Sequence, residues 1–349
     1  MDIMIYDGPR KLRVESIPEL PILPGTIRTR ALCSGISHGT EQGVYQGTAP
    51  FFRRKMDGST RLFVDANEEE VWTYPVRSCD PGVWYMGYAH VGEVIEVASD
   101  VTDFKLGDIV YASAPHQSQC ILPQEAAVKL PDGINPEYGV FFTNLVTVLN
   151  GILDTRIKVG DTIVISGLGV LGQLAAQLAK LNGASQVIGI DPIEQRRKIA
   201  KENGIDKTFD PTEGDVAMEI RKLTNMRGPD AVIEVSGSVK ALNEAIRIAA
   251  PDTTVTAMGW YQGMCGELNL SEEFHHNRIT LRCSQTGSTD PSIQNLWDYK
   301  RREETCLSLL STLRFDNLIT QRVDFKDVAS AYERIEKNPS EVIQIALVY

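Results

Sequence analysis

The chain has six cysteines (Cys33, Cys79, Cys120, Cys265, Cys283 and Cys306) but no C-x-x-C pair among them. That scatter argues against a disulfide framework and fits reduced thiols, mostly core fillers, in a cytoplasmic protein. No apolar run approaches the roughly 20 residues that a helix needs to cross a bilayer. The stretch Met1-Asp2-Ile3-Met4-Ile5-Tyr6-Asp7 has neither a basic region nor an apolar run of signal-peptide length, so no targeting segment is expected. Positive charge is in deficit: 35 Lys and Arg against 46 Asp and Glu leave a formal charge of −11. Phosphate backbones are bound by clustered cations, so a nucleic-acid partner is not expected, and an acidic surface disfavours anionic membranes. Internal repeats and low-complexity tracts are also missing. A small-molecule partner is the expectation that remains.

At 349 residues the chain exceeds the usual size of a single core, so two domains are expected. Residues 1–145 read as β-rich. Ile27–Cys33, Ala89–Val97 and Ile109–Tyr111 are short β-prone runs punctuated by Pro-Gly, Gly-Asp and Pro-Asp-Gly turns. Residues 48–86 are irregular, with Phe51-Phe52-Arg53-Arg54-Lys55 and the acidic Asn67-Glu68-Glu69-Glu70, and a stretch of that length predicts a functional loop or lid. From Asp161 the texture alternates. Thr162–Ser166 is a continuous apolar run, as in a strand buried on both faces of a parallel sheet. Helices over 171–181, 194–203 and 239–249 alternate with strands over 186–190, 231–235 and 253–258. This is βαβ repetition, and it predicts a doubly wound α/β domain. The tail returns to mixed texture, with helices expected over 302–314 and 325–337 and a last strand over 344–348.

The segment Gly167-Leu168-Gly169-Val170-Leu171-Gly172 is a G-x-G-x-x-G that follows a buried strand and opens a helix. Gly167 permits the tight turn, Gly169 lets backbone approach a pyrophosphate, and Gly172 lets helix pack on strand. The helix N-terminus then faces the phosphate charge. Asp191 ends the second strand, 19 residues beyond Gly172, where a carboxylate accepts from the adenosine ribose. It would repel a 2′-phosphate, so NAD is favoured. Arg196 and Arg197 keep NADP open, and a cap ahead of Pro192 is the structural alternative for Asp191. Ser236 and Gly259 are assigned to the same cofactor site.

With that motif placed after a β-rich part and before a returning tail, the whole chain resembles the medium-chain dehydrogenase/reductase superfamily. Gly107-Asp108-Ile109-Val110, Leu130-Pro131-Asp132-Gly133 and Asp230–Gly237 agree with it. The resemblance implies a GroES-like catalytic domain from residues 1–145 and 288–349, a Rossmann domain over 146–287, a cleft between them, and a homodimer. The alcohol dehydrogenases of the superfamily hold a catalytic zinc through a Cys and a His-Glu pair. Here the matching stretches read Gly35-Ile36-Ser37-His38-Gly39-Thr40-Glu41 and Gly87-Tyr88-Ala89-His90. Ser37 replaces the Cys and Tyr88-Ala89 the His-Glu, while Phe141-Phe142-Thr143-Asn144 offers no third ligand. The four-cysteine structural lobe is also missing, since residues 48–86 carry Cys79 alone. Zinc takes deprotonated sulfur, imidazole or carboxylate, so no zinc is expected at either family site. A substitute set of His38, His90 and Glu41 is the metal-binding alternative, and His116, His275 and His276 are expected to face solvent. The Ser-Gly-Ile-Ser-x-Gly-Thr-Glu stretch is similar to the branch holding the bacteriochlorophyllide hydroxyethyl dehydrogenases. That branch implies interconversion of a secondary alcohol and its ketone.

Without zinc a side chain must handle the hydroxyl proton. Tyr88 can donate to a ketone oxygen, and His38, as an imidazole, titrates near neutrality. Ser37, Thr40 and Glu41 can complete a relay, while Asn144 either orients the substrate or caps the following helix. The structural alternative makes Thr40 and Glu41 turn residues and Tyr88 a wall. Three readings stay open: a zinc-independent alcohol, polyol or cyclitol dehydrogenase, a reductase of activated C=C bonds such as a quinone, and a non-catalytic NAD(H)-binding regulator.

Overall fold

Short β-prone runs organise the first part of the chain, and longer strand–helix alternation the middle. The computed structural model describes residues 1–67 and 69–349, and these divide into two units. One is Met1–Thr143 with Ile319–Tyr349, and the other is Asn144–Leu318.

In the first unit, the strand Thr26–Gly35 is the spine of a seven-stranded sheet. It pairs antiparallel with His90–Val97, with Gln119–Pro123 and with the C-terminal strand Gln344–Val348. The last pairing sets Ala346 opposite Gly35 and Leu347 opposite Ser34, so the end of the chain lies beside residues 33–35. A second sheet joins Lys11–Ser16, Asp2–Gly8 and Val76–Arg77. Its inner face packs Met4 and Tyr6 into a core with Tyr45, Met86, Tyr85, Tyr332 and Ile345. The helix His38–Tyr45 turns its buried Val44 and Tyr45 into that core.

Residues 48–86 are more ordered than their irregular texture predicts. They contain a hairpin, Arg54–Met56 with Phe63–Asp65, and a run of stacked aromatic rings. Asn67-Glu68-Glu69-Glu70 falls partly outside the described residues, at Glu68.

The second unit holds six parallel strands. In spatial order they are Lys207–Phe209, Gln186–Ile190, Thr162–Ser166, Ala231–Glu234, Thr254–Ala257 and Thr280–Cys283. In chain order this is 3-2-1-4-5-6, the doubly wound arrangement whose order reverses at Thr162–Ser166. That strand is buried at every residue, as its unbroken apolar run requires. The strands Lys207–Phe209 and Thr280–Cys283 and the helix Val216–Leu223 were not expected; their short or charged sequences carry little periodicity.

Residues 288–318, which the sequence assigned to the first unit, pack within the second. Buried polar bonds hold them there. Asp290 accepts from Arg156 and Arg282, while Arg302 donates to Asn150 and to the carbonyl of Thr286. Gln177 bonds the backbone of Arg314 in both directions. Among the described residues no helix is long and apolar enough to cross a membrane.

Candidate active site

Ser37 is the N-cap of the helix His38–Tyr45, yet its side chain makes no capping bond. A serine at that position ordinarily accepts from the first turn, a bond whose loss costs about 1 kcal/mol. Here the hydroxyl instead meets the phenol of Tyr88, which Thr40 also approaches at 3.4 Å. The helix start is held another way: the Ser37 amide donates to Glu41 Oε1 over 2.7 Å.

Glu41 is wholly buried and acts as the hub of the turn. Its other oxygen accepts from the Tyr332 hydroxyl and lies 3.0 Å from His116 Nε2. A carboxylate only accepts, so His116 Nε2 carries the proton toward it. Its Nδ1 lies 2.7 Å from Ser34 Oγ, which bonds Tyr349 OH in turn over 2.8 Å. The proton positions are assigned from this bond pattern.

Tyr88 is held from the opposite side. Its carbonyl accepts from Tyr111 OH at 3.0 Å and from Thr143 Oγ1 at 3.3 Å, and these two hydroxyls also bond each other. Gly87, just before it, has φ +116°, and a Cβ there would lie 2.8 Å from the His116 ring. Only glycine fits both the dihedral and the contact. The His116 amide donates to the Met86 carbonyl at 3.0 Å, so one histidine ties the Met86–Tyr88 turn to Glu41. Burial is the first cause that pushes the Tyr88 phenol up, opposed by the bonds from Ser37 and Thr40. The phenol is therefore protonated at neutral pH and able to donate.

The expectation for His116 was wrong: it is completely buried, whereas His275 and His276 are exposed as anticipated. His90 is also fully buried, with Nε2 2.9 Å from Thr29 Oγ1 and Nδ1 3.7 Å from Cys120 Sγ. Burial pushes its pKa down to about 3. His38 opens the helix and is half-buried. Asn144 is the third residue of the helix Phe142–Thr155, too far inside it to be the N-cap.

Among the described residues no group of three His, Cys, Asp or Glu side chains is arranged to hold a metal, so His38, His90 and Glu41 do not form one. Ser37 and Tyr88 offer neutral hydroxyls where the family's ligands would stand, and neutral hydroxyls are not zinc's donor set. These residues do not fit a catalytic zinc.

The glycine turn of the second unit does fit a dinucleotide. Gly167 has φ +94°, and a Cβ at Gly172 would lie 1.9 Å from the Gly167 carbonyl, so the turn needs both glycines. A Cβ on Gly169 would meet nothing within 4 Å, which leaves open space at the N-cap of the helix Val170–Leu181. Amides of that first turn, from Val170 and Leu171 onward, lack a side-chain cap and can face phosphate oxygens. Gln173 braces the turn by donating to the carbonyls of Leu168 and Arg196.

Asp191 takes the structural role anticipated for it, as an acceptor for backbone amides on both sides of the second strand's end. One oxygen accepts from the Leu168 amide and the other from the Ile193 amide at the next helix start, both at 2.8 Å. Arg196 Nη1 lies 3.7 Å from it.

The exposed Ser236 donates through its amide and hydroxyl to the buried Glu234, which also accepts from Tyr261. Gly259 packs so closely that a Cβ would lie 2.5 Å from the Gly237 amide. Burial pushes the Glu234 carboxyl up.

Sequence reasoning missed Ser34, Tyr111, Thr143, Tyr332 and Tyr349 in the first unit, along with the role of His116. These bonds span up to 315 residues and leave no local pattern. Glu234 had a signal: it is a charged residue closing an apolar, buried strand.

The family model of the zinc-binding dehydrogenases matches residues 170–299. D-guloside 3-dehydrogenases of Shigella flexneri and Escherichia coli (strain K12) are each 31% identical over 355 aligned positions, covering 100% of this chain and 100% of the relative. The crystal structure of galactitol-1-phosphate dehydrogenase from Escherichia coli has a TM-score of 0.78 at 19% identity, covering 100% of both chains. At that identity the structural likeness speaks for the fold alone. The full-length relatives, the family match and the 3-2-1-4-5-6 sheet agree, and the chain belongs to the medium-chain dehydrogenase/reductase superfamily of zinc-type alcohol dehydrogenase-like oxidoreductases.

Proposed function

We propose that this chain is a zinc-independent, NAD-dependent dehydrogenase that interconverts a secondary alcohol of a polyol, sugar or cyclitol and its ketone. The observation that carries this reading is the Ser37–Tyr88 pair, in which an N-cap serine gives up its helix to bond a phenol. Nicotinamide, when bound, supplies the hydride acceptor for alcohol oxidation and the hydride donor for ketone reduction. The residues of this chain handle the proton. Tyr88 donates to the ketone oxygen during reduction and recovers the proton from the carbinol hydroxyl during oxidation. Ser37 and Thr40 hold the phenol oxygen in place, and Glu41 holds Ser37. His38 is the candidate base, and Asn144 a candidate for substrate or amide orientation. Gly167–Gly172, Asp191, Arg196, Ser236 and Gly259 hold the dinucleotide. The name of the guloside dehydrogenases supports a sugar hydroxyl as the reacting group. We further propose a homodimer, as the family resemblance implies, and a cytoplasmic location, for which the scattered unpaired cysteines are the support.

Purified protein should reduce NAD in the presence of a glycoside or polyol and contain no stoichiometric zinc. One zinc per chain, removed by a chelator with loss of turnover, would overturn zinc independence. Turnover of an enone or quinone but of no alcohol would overturn the choice of substrate and favour a C=C reductase.

A further inference from the structure

The segment 48–86 contributes an aromatic stack that the reading above does not use. Phe51 stacks on Trp72 with centroids 4.7 Å apart, and Trp72 stacks on Tyr85 at 3.7 Å. Phe52 stacks on Tyr74 at 5.0 Å. Tyr85, Phe52, Trp72 and Tyr74 rest on the core that contains Tyr332, whose hydroxyl reaches Glu41. On the outer side, Trp84 stands edge-on to both Trp72 and Phe51, and Phe63 lies against Phe51. Trp84 is 47% exposed and Phe63 37% exposed. Rings so firmly braced from behind do not need solvent-facing tryptophan for stability, and exposed large apolar groups of this kind mark binding surfaces.

Position identifies the occupant. Trp84 lies four residues before Tyr88, so their Cα atoms are within about 14 Å of each other. The short turn Trp84–Met86 packs on the helix that Ser37 and Glu41 open. Charged groups share the hairpin that carries Phe63: Arg54 pairs with Asp65, and Lys55 pairs with Glu70. An aromatic face bordered by charged hydrogen-bonding groups suits a sugar ring, which offers a C–H face and a perimeter of hydroxyls. These charged side chains are exposed, so they can also bond the hydroxyls of a sugar, whereas an alkyl chain offers them nothing.

We propose that Trp84, with Phe51 and Phe63, forms a stacking subsite for a second sugar ring attached to the one that is oxidised. The preferred substrates are then glycosides of at least two rings rather than free monosaccharides or acyclic polyols. This rests on the sugar-oxidising reading above.

The test compares cellobiose with methyl β-D-glucopyranoside. In the unmodified protein kcat/KM should favour cellobiose. Trp84→Ala should lower the cellobiose-to-methyl-glucoside ratio of kcat/KM about tenfold, mostly through KM, while Trp84→Phe keeps most of the ratio. Cellobiose should also quench tryptophan emission without any cofactor, and the quench should vanish in Trp84→Phe. If neither sugar is oxidised but this quench is seen, the subsite stands and the assigned reaction fails. An unmoved ratio in Trp84→Ala, or no Trp84-dependent quench, overturns the subsite.

Discussion

His116 Nε2 lies 3.0 Å from the Glu41 carboxylate, and neither side chain has any solvent exposure. A buried acceptor that loses a donor pays its full desolvation, whereas removing both partners together is far milder. His116→Phe should therefore lower stability by about 1–3 kcal/mol, and combining it with Glu41→Leu should cost less than the sum of the two single losses. Urea midpoints of the two single variants and the double variant measure this. Strict additivity would mean that the pair is not coupled. His116→Phe should also depress turnover, because the same ring braces Gly87, next to Tyr88.

A second buried histidine predicts acid sensitivity. His90 is neutral in the fold, its pKa pushed down to about 3 by burial, and it regains an ordinary value of about 6.5 on unfolding. Below the unfolded value the unfolded chain binds a proton that the native chain refuses. His90 thus contributes stability above about pH 6.5 that is lost as pH falls toward the folded value. The slope approaches about 1.4 kcal/mol per pH unit. Denaturant midpoints at pH 5 and pH 7.5 should differ less in His90→Gln than in the unmodified chain. Equal pH dependence in both proteins would rule out His90 as the source.

The two units were legible to different degrees. Continuous apolar strands such as Thr162–Ser166 and a glycine turn at fixed spacing are local signals, and both appear in the structure where the sequence places them. Ser37, Thr40 and Tyr88 were singled out through family resemblance, and the structure brings their hydroxyls together. His116 was misread because a lone histidine between Pro115 and Gln117 says nothing about burial. Its burial follows from long-range pairing that brings residue 116 beside residues 34, 41 and 87. The boundary near residue 288 was missed for a similar reason, since Arg302 and Asp290 find their partners in the helix Phe142–Thr155 and the strand Thr280–Cys283.

Cofactor preference is expected to rest on Asp191. Both of its oxygens already accept backbone amides, and each retains a lone pair for a ribose hydroxyl. NAD(H) should bind more tightly than NADP(H) by at least about 1 kcal/mol. Asp191→Asn keeps one of the two backbone bonds and gives up the other, while it removes the charge that repels a 2′-phosphate, and Arg196 is already nearby to pair with that phosphate. Calorimetry on Asp191→Asn should show NADP(H) affinity rising toward that of NAD(H). Equal affinities in the unmodified protein would refute the assignment.

Proton transfer is the most direct test of the site. Burial holds the Tyr88 phenol above its usual range, so it is a donor at neutral pH, and the phenolate that could take a proton forms only in alkaline solution. Ketone reduction should stay flat through neutrality, while alcohol oxidation should climb toward alkaline pH. Tyr88→Phe keeps the ring and its packing but removes the hydroxyl, and should cut turnover by about 10²–10⁴ with cofactor affinity nearly unchanged. Ser37→Ala leaves the phenol but removes its partner, so its loss should be smaller and should fall mainly on kcat. His38→Asn should instead remove any limb near neutrality that an imidazole produces. Full turnover in Tyr88→Phe, with chemistry shown to be rate-limiting, would leave alcohol oxidation here without its acid. A double-bond reductase that takes its proton from water would then describe the site better.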